Sequence, residues 1–297
     1  MTNKFTYKTY LPSLDNFYYC HEMSYGQYTD VVKLIQNNDD IQLQTYLTSL
    51  VKNLLVDKQV YSKLTRVDLF CLLLNMRIVC VSQQLKLSIK GGDTEDRTAA
   101  IDLYDVIDKV SNHPEKCIQQ VNINEKCSVL MGSPLKLTHV TSDDILNDTV
   151  HKIKLGRKSY DLTKMTINQR QQLLESFSTE LFSEIVNNIK RINSNYNIPI
   201  LEVPDENGEL TNFSLELYNN SFFEFIKLIY QGNLHEQLYT RYILAKRLNF
   251  QIEYIDSRTP AEVNTYISMY KEELEEERKE HEKQKQKNLM NPQSFAG

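Results

Sequence analysis

The segment 64–82, LTRVDLFCLLLNMRIVCVS, constrains the fold more than any other part of the chain, because so apolar a stretch has to be buried. It also contains Asp68, Asn75 and Arg77, so it fits a membrane span, a catalytic helix or a core helix. A membrane span needs ~20 apolar residues, whereas here only Leu69–Leu74 run without a polar residue. The segment therefore predicts a buried core helix over Val67–Val81.

Two amphipathic helices are predicted ahead of this core helix. Ser24 with Gln27 and Thr65 with Asp68 have the spacing of capping boxes, which mark the first and third helix starts. The apolar residues recur at the spacing of one helical face: Tyr28, Val31, Val32 and Ile35 in the first helix, and Leu43, Tyr46, Leu47, Leu50, Val51 and Leu54 in the second. We predict a small N-terminal helical bundle with the apolar helix at its centre.

The whole chain is predicted to be a predominantly helical α+β protein. Residues 1–92 form an N-terminal helical domain with short strands, and 93–162 form a β-rich middle section. Residues 163–258 form a C-terminal α+β domain with a β-hairpin, and 259–297 form an extended charged helix and tail. Few glycines and prolines favour long helices.

Particular element boundaries follow from the same patterns. We expect one helix with a face of Ile101, Tyr104, Ile107 and Val110, and one unbroken helix from Thr166 to about Asn193. A strand–turn–strand pattern surrounds Asn207-Gly208, and Ser221 is expected to cap the next helix. Asn233 and Glu236 are expected to cap the following helix, which carries Leu238, Tyr242, Ile243, Ala245 and Leu248.

The C-terminal segment changes character after Thr259-Pro260-Ala261-Glu262, a strong helix start. A narrow apolar stripe follows with the four-and-three spacing of a coiled-coil seam, and from Glu275 onward there is no apolar face. Two interpretations stay open: a solvated helix that frays into a disordered tail, or a partner-binding helix. The partner-binding hypothesis rests on Val263, Ile267, Tyr270, Leu274, Leu289, Met290 and Phe295.

Charge and cysteine usage exclude several classes of protein. A net charge of -5 gives no general attraction to nucleic acid, and the basic cluster Lys152, Lys154, Arg157 and Lys158 fits one face of a hairpin better than a nucleic-acid site. Five irregularly spaced cysteines argue against a disulfide framework. Without an apolar run near its first residue, the chain is expected to be soluble and intracellular.

No motif predicts a metal or cofactor site. His235-Glu236 and His281-Glu282 begin like zinc-protease helices, but the second histidine is missing from both. We therefore expect no metal, no cofactor and no enzymatic activity. The alternative is a small cytoplasmic enzyme whose site is assembled from scattered residues such as Cys20, His139, Asp143 and His151.

Several segments carry a resemblance to a known family. LPS followed by FYY, then EMSYGQY, LTRVDLFCLLLNMR and LKLSI, and later FSLELYNNSFFEFIKLIY and TPAEVNTYISMYKEELEEE, resemble the baseplate hub assembly proteins of T-even-type tailed phages. The resemblance implies a non-enzymatic late protein made in the host bacterial cytoplasm. It would be a hub component or a tail assembly chaperone that engages hub or tape-measure proteins. From the net charge and the broken apolar run we expect neither a nucleic-acid nor a membrane partner, and the oligomeric state and retention in the virion tail baseplate stay open.

Overall fold

The computed structural model describes residues 5–89, 97–112, 118–132, 148–195, 197–204, 210–217 and 219–290. The helices are α1 (Tyr25–Gln36), α2 (Asp40–Leu54), α3 (Arg66–Cys80), α4 (Leu103–Asn112), α5 (Ile167–Glu175), α6 (Thr179–Asn195), α7 (Ser221–Ile229), α8 (Leu234–Arg247), α9 (Ile252–Ser257) and α10 (Pro260–Met290). The strands are β1 (Thr6–Leu11), β2 (Asn16–His21), β3 (Gln84–Ile89), β4 (Arg97–Asp102), β5 (Ile118–Asn124), β6 (Cys127–Gly132), β7 (Val150–Leu155), β8 (Lys158–Asp161), β9 (Asn197–Pro204) and β10 (Leu210–Glu216). The predicted helix-rich α+β fold is confirmed.

The chain divides into two compact units. The main unit comprises Met1–Glu22 and Leu34–Gln231, and the helical unit comprises Met23–Lys33 and Gly232–Gly297. The division into four segments that was predicted from the sequence follows composition rather than packing, and its boundaries stay a prediction.

Helix α3 is the core of the main unit, as its apolarity predicts. Thirteen of its fifteen residues are buried. The Thr65 side chain accepts from the Asp68 amide, and the Asp68 carboxylate accepts from the Thr65 amide, so the predicted capping box is confirmed. α3 packs against β1, α4, α7 and α2. Among these neighbours, α2 is one of the two preceding helices that were expected to pack on α3. The others are a strand, β1, and two helices that follow α3, so the core contains elements that the expected helical bundle did not include.

Two arginines are buried on α3, and backbone carbonyls satisfy them. The guanidinium group of Arg66 donates to the carbonyls of Leu217 and Asn219, both at 2.7 Å. Arg77 donates through Nε to the Ile229 carbonyl at 2.9 Å and through Nη1 to the Ser82 carbonyl at 2.9 Å. Because an arginine offers five N–H donors and a buried donor needs an acceptor, both side chains anchor the chain around α7 to the core helix.

The strands form antiparallel sheets. β1 pairs with β2, β3 with β4, β9 with β10, and β5–β6–β7–β8 form a four-stranded meander. The face of the meander that carries Val121, Val129 and Ile153 is buried, and these residues lie opposite one another in register. Strands β5–β8 all lie within 93–162, the range for which the sequence predicted a β-rich section.

Three boundary predictions were wrong. Ile101 belongs to strand β4, where it pairs with Leu85, and Tyr104 is 46% exposed, because strand pairing prevails over the helical spacing. The helix expected from Thr166 to Asn193 breaks into α5 and α6, since the Ser178 hydroxyl accepts from the Leu181 amide and starts a new helix. α7 has Asn220, not Ser221, at its N-cap.

The helical unit has its own small core. Tyr25, Leu244, Ile255 and Val263 are buried together, and five partly buried residues pack around them: Ala245, Leu248, Phe250, Tyr266 and Ile267. The Tyr25 hydroxyl donates to the Gln237 carbonyl at 3.0 Å, and burial raises the pKa of Tyr25 to about 12. Arg241 forms an ion pair with Asp256 at 2.6 Å. The start of α1 is thus part of the fold of the C-terminal helices.

Candidate partner-binding surface

The long helix α10 provides the predicted partner-binding residues, and its start is fixed by a capping box. The Thr259 amide donates to Glu262 Oε2 at 2.8 Å, and the Glu262 amide donates to Thr259 Oγ1 at 3.2 Å. Proline at the first helical position suits the same start. Thirty-one residues at ~1.5 Å per residue give a helix of about 46 Å, long enough to reach well beyond a small core.

The apolar stripe of α10 divides into two parts. Val263 is fully buried in the core of the helical unit and Ile267 packs against that core, so both stabilise the unit itself. Tyr270 and Leu274 are half-buried. The structure therefore brings four predicted residues onto one stripe but leaves only its distal part accessible.

Beyond Leu274, α10 continues as a helix through Met290, with residues 275–286 exposed. Leu289 and Met290 are its last two residues, and Phe295 lies outside the described residues. Glutamates occupy five of the six positions 272–277, whereas lysines and Arg278 predominate over 278–287. A helix with no apolar face has nothing to pack with, which accounts for its exposure.

Sequence reasoning missed an exposed apolar face on α8. Leu238, Tyr239 and Tyr242 are 48%, 57% and 50% exposed. Of the apolar residues identified on this helix from the sequence, Ala245 and Leu248 pack on the core, whereas Leu238 and Tyr242 are exposed. The buried residues of α8 are Gln237 and Leu244, and the backbone carbonyl of Gln237 accepts a hydrogen bond from the Tyr25 hydroxyl. His235, Tyr239, Tyr242 and Lys246 are four, three and four residues apart, so they lie along one face of the helix, but this spacing does not indicate whether that face is exposed.

Two of the four residues named in the alternative enzyme hypothesis, Cys20 and His151, lie in the described parts of the chain. Cys20 is buried, and desolvation raises the pKa of its thiol to about 11, so it is protonated and a poor nucleophile near neutral pH. His151 lies against Gly132 on the meander, where burial lowers the pKa of its imidazole. His139 and Asp143 lie outside the described residues. Within the described ranges, no three His, Cys, Asp or Glu side chains are placed to hold a metal.

The basic cluster lies on the β7–β8 hairpin, which confirms its predicted location. Lys152, Lys154, Arg157 and Lys158 are all exposed, and Lys152 lies opposite Asp161 in register. Gly156 turns the hairpin with a positive φ of 58°. A solvated hairpin face accounts for these charges without a nucleic-acid ligand.

None of the helices in the described parts of the chain combines the length and the apolarity that crossing a membrane requires. The segment 64–82, where a span had to be considered, contains the buried core helix α3.

Fold alone does not assign a function, but comparison of the sequence with known families does identify a class. Residues 2–202 match the family described as T4 bacteriophage base plate protein, so the chain belongs to this family. The match contains α3 and the N-terminal segments that carried the resemblance, whereas α7, α8 and α10 lie beyond it. Neither a curated protein nor a solved structure matches the chain. The resemblance to phage baseplate proteins is thereby confirmed at the level of the family.

Proposed function

We propose that this protein is a non-enzymatic baseplate protein that acts in assembly of the central hub, either as a hub component or as a tail assembly chaperone. The observation that carries the proposal is the family match over residues 2–202. The buried, protonated Cys20 thiol and the core role of the acid and bases on α3 support a structural rather than a catalytic role. The protein would act in the host bacterial cytoplasm during assembly.

The partners we propose are other phage baseplate hub or tape-measure proteins, and the docking element is 259–297. Val263 and Ile267 fix the base of α10 in the helical unit, while the charged segment keeps the helix in water. Tyr270, Leu274 and the terminal apolar residues Leu289, Met290 and Phe295 are the anchors for the partner. Each buried anchor contributes ~1.5–3 kcal/mol, so two or three are enough for micromolar binding after the cost of association.

The experiment is co-purification from cells infected by the phage that carries the gene. A tagged full-length chain is compared with a chain that ends at Glu273, and bound proteins are quantified by mass spectrometry. The full-length chain is expected to recover baseplate hub or tape-measure proteins, and the shorter chain to lose them.

Two further variants separate the anchors from the charges. A full-length chain with Leu289→Ser, Met290→Ser and Phe295→Ser should lose the same partners. A control with Glu280→Gln and Lys283→Gln, two exposed positions on α10, should keep them. Retention of every tail partner by the chain ending at Glu273 would place the docking surface elsewhere and contradict the proposed docking element.

A further inference from the structure

The exposed face of α8 is an aromatic ridge formed by His235, Tyr239, Tyr242 and Lys246, with Leu238 beside it. The His235 and Tyr239 rings stack with centroids 6.4 Å apart, and Tyr239 and Tyr242 stack at 6.3 Å. The Lys246 ammonium lies 5.0 Å from the centroid of the Tyr242 ring and donates to its hydroxyl. The ridge is therefore ordered in advance, which lowers the entropic cost of binding.

Such a ridge has the composition of a binding surface. Tyrosine is enriched at interface positions that contribute most to affinity, and contiguous exposed apolar side chains mark interaction sites in soluble proteins. The apolar part is followed along the helix by two exposed cations, Lys246 and Arg247. A surface that is complementary to this ridge needs an apolar residue opposite the tyrosines and carboxylates opposite the two cations, one to two helical turns further along.

Helix α10 carries such a surface. Met269 is 62% exposed, and Glu273 and Glu276 follow it four and seven residues later, both exposed. On one helix these three residues lie on one face. From Met269 to Glu276 the rise is ~10.5 Å, equal to the rise from Tyr239 to Lys246, since each pair is seven residues apart.

We propose that the ridge on α8 binds the Met269–Glu276 face of α10 in a second copy of this chain. In parallel packing, Met269 lies over Tyr239 and Tyr242 while Glu273 and Glu276 lie beside Lys246 and Arg247. Each copy carries both surfaces, so a twofold dimer forms the contact twice. This inference concerns contact between copies and goes beyond the proposed role in hub assembly.

The test is sedimentation equilibrium of the purified full-length chain without any other protein, so its outcome does not depend on the proposed docking to tail proteins. We expect the chain to dimerise with a dissociation constant below ~100 µM, in the weak range that is typical of small interfaces with few anchors. Tyr239→Ser with Tyr242→Ser should abolish the dimer. A full-length chain that stays monomeric at this concentration overturns the proposal.

A charge swap identifies the pairing. Lys246→Glu should weaken the dimer at least about fivefold, because each reversal acts on both symmetric contacts. Adding Glu276→Lys to the same chain should restore most of the loss. Lys283→Glu, an exposed change further along α10, is the matched control and should leave the dimer unchanged. Circular dichroism verifies that each variant is folded, and failure of the swap to restore binding overturns the proposed pairing.

Discussion

Asp68 joins the turn after β1 to the core helix. Its carboxylate accepts from the Ser13 amide at 3.0 Å, from the Ser13 hydroxyl, and from the Thr65 amide and hydroxyl at 2.8 and 2.9 Å. The bonds to Thr65 were predictable, because a capping box is a local pattern. The bonds to Ser13 were not, because no sequence spacing relates residues 55 positions apart.

The first prediction at the residue scale concerns Asp68→Asn. An amide nitrogen cannot accept hydrogen bonds, so the Ser13 amide loses its acceptor if the nitrogen replaces Oδ1, and three donors lose theirs if it replaces Oδ2. We expect the free energy of unfolding to fall by about 2–3 kcal/mol, measured by urea denaturation. Asp108→Asn on the exposed side of α4 is the control and should change stability little. Equal stability of the two variants would contradict this role of Asp68.

The second prediction concerns His151 and pH. Burial is the main cause that lowers the pKa of His151, and Arg170 lowers it further while Asp148 and Asp161 oppose the shift. Below pH ~6.5, the ordinary pKa of histidine, this side chain binds a proton more readily in the unfolded chain than in the folded chain. The free energy of unfolding therefore decreases as the pH falls from ~6.5 toward the lowered pKa of His151.

We therefore expect the free energy of unfolding to decrease between pH 7.5 and pH 5.5, and His151→Phe to reduce that decrease. His281→Phe, at an exposed histidine of α10, serves as the comparison. If both variants show the same pH dependence as the wild type, His151 is not responsible. A side chain at position 132 would also displace the His151 ring, since a Cβ there would lie 2.2 Å from its Cε1 atom.

At the scale of elements, the sequence predicted helices best where the signal is local. α3 was predictable from its apolarity and its cap, and the start of α10 from Thr259 and Pro260. The exposed face of α8 was not predictable, because Tyr25, distant in sequence, determines which side of α8 is buried. The break between α5 and α6 did have a signal in Ser178, but the helical periodicity on both sides of it masked that signal.

The third prediction tests α3 as the core element. Leu73 is fully buried, so Leu73→Asp places a carboxylate in an apolar site at a cost of several kcal/mol, comparable to the stability of a domain. We expect this variant to lose soluble expression. Ile41→Asp is the matched control, because Ile41 is exposed on α2 and the variant should accumulate normally. Wild-type amounts of folded Leu73→Asp protein would show that α3 is not core.

For the whole molecule, the family assignment makes this a phage baseplate protein. The central claim that we propose beyond it is that the protein is needed to assemble the baseplate and acts without catalysis. The N-terminal segments that carried the family resemblance lie inside the matched range, whereas the C-terminal segments that also carried it lie beyond that range. The accessible surfaces of α8 and α10 lie outside that range, and their exposure depends on tertiary packing that single-sequence patterns do not report.

The fourth prediction concerns the independence of the body from the charged end of α10. A chain ending at Glu273 keeps Val263 and Ile267 in the core of the helical unit. Of the side chains that the structure describes beyond it, half-buried Leu274 and the exposed residues 275–286 are removed. We expect its thermal unfolding midpoint to stay within a few degrees of the full-length value. A large decrease would mean that the charged end stabilises the fold.

The most direct measurement of the central claim is complementation of a phage in which an early stop codon silences the gene. Electron microscopy of infected cells should show no completed tails, and supply of the wild-type chain should restore them. A chain with Cys20→Ala and His151→Asn should restore them equally well if no catalytic step is involved. Normal tails without the protein would contradict a role in baseplate assembly. Failure of the folded double variant, with rescue by the wild-type chain, would contradict the non-enzymatic account.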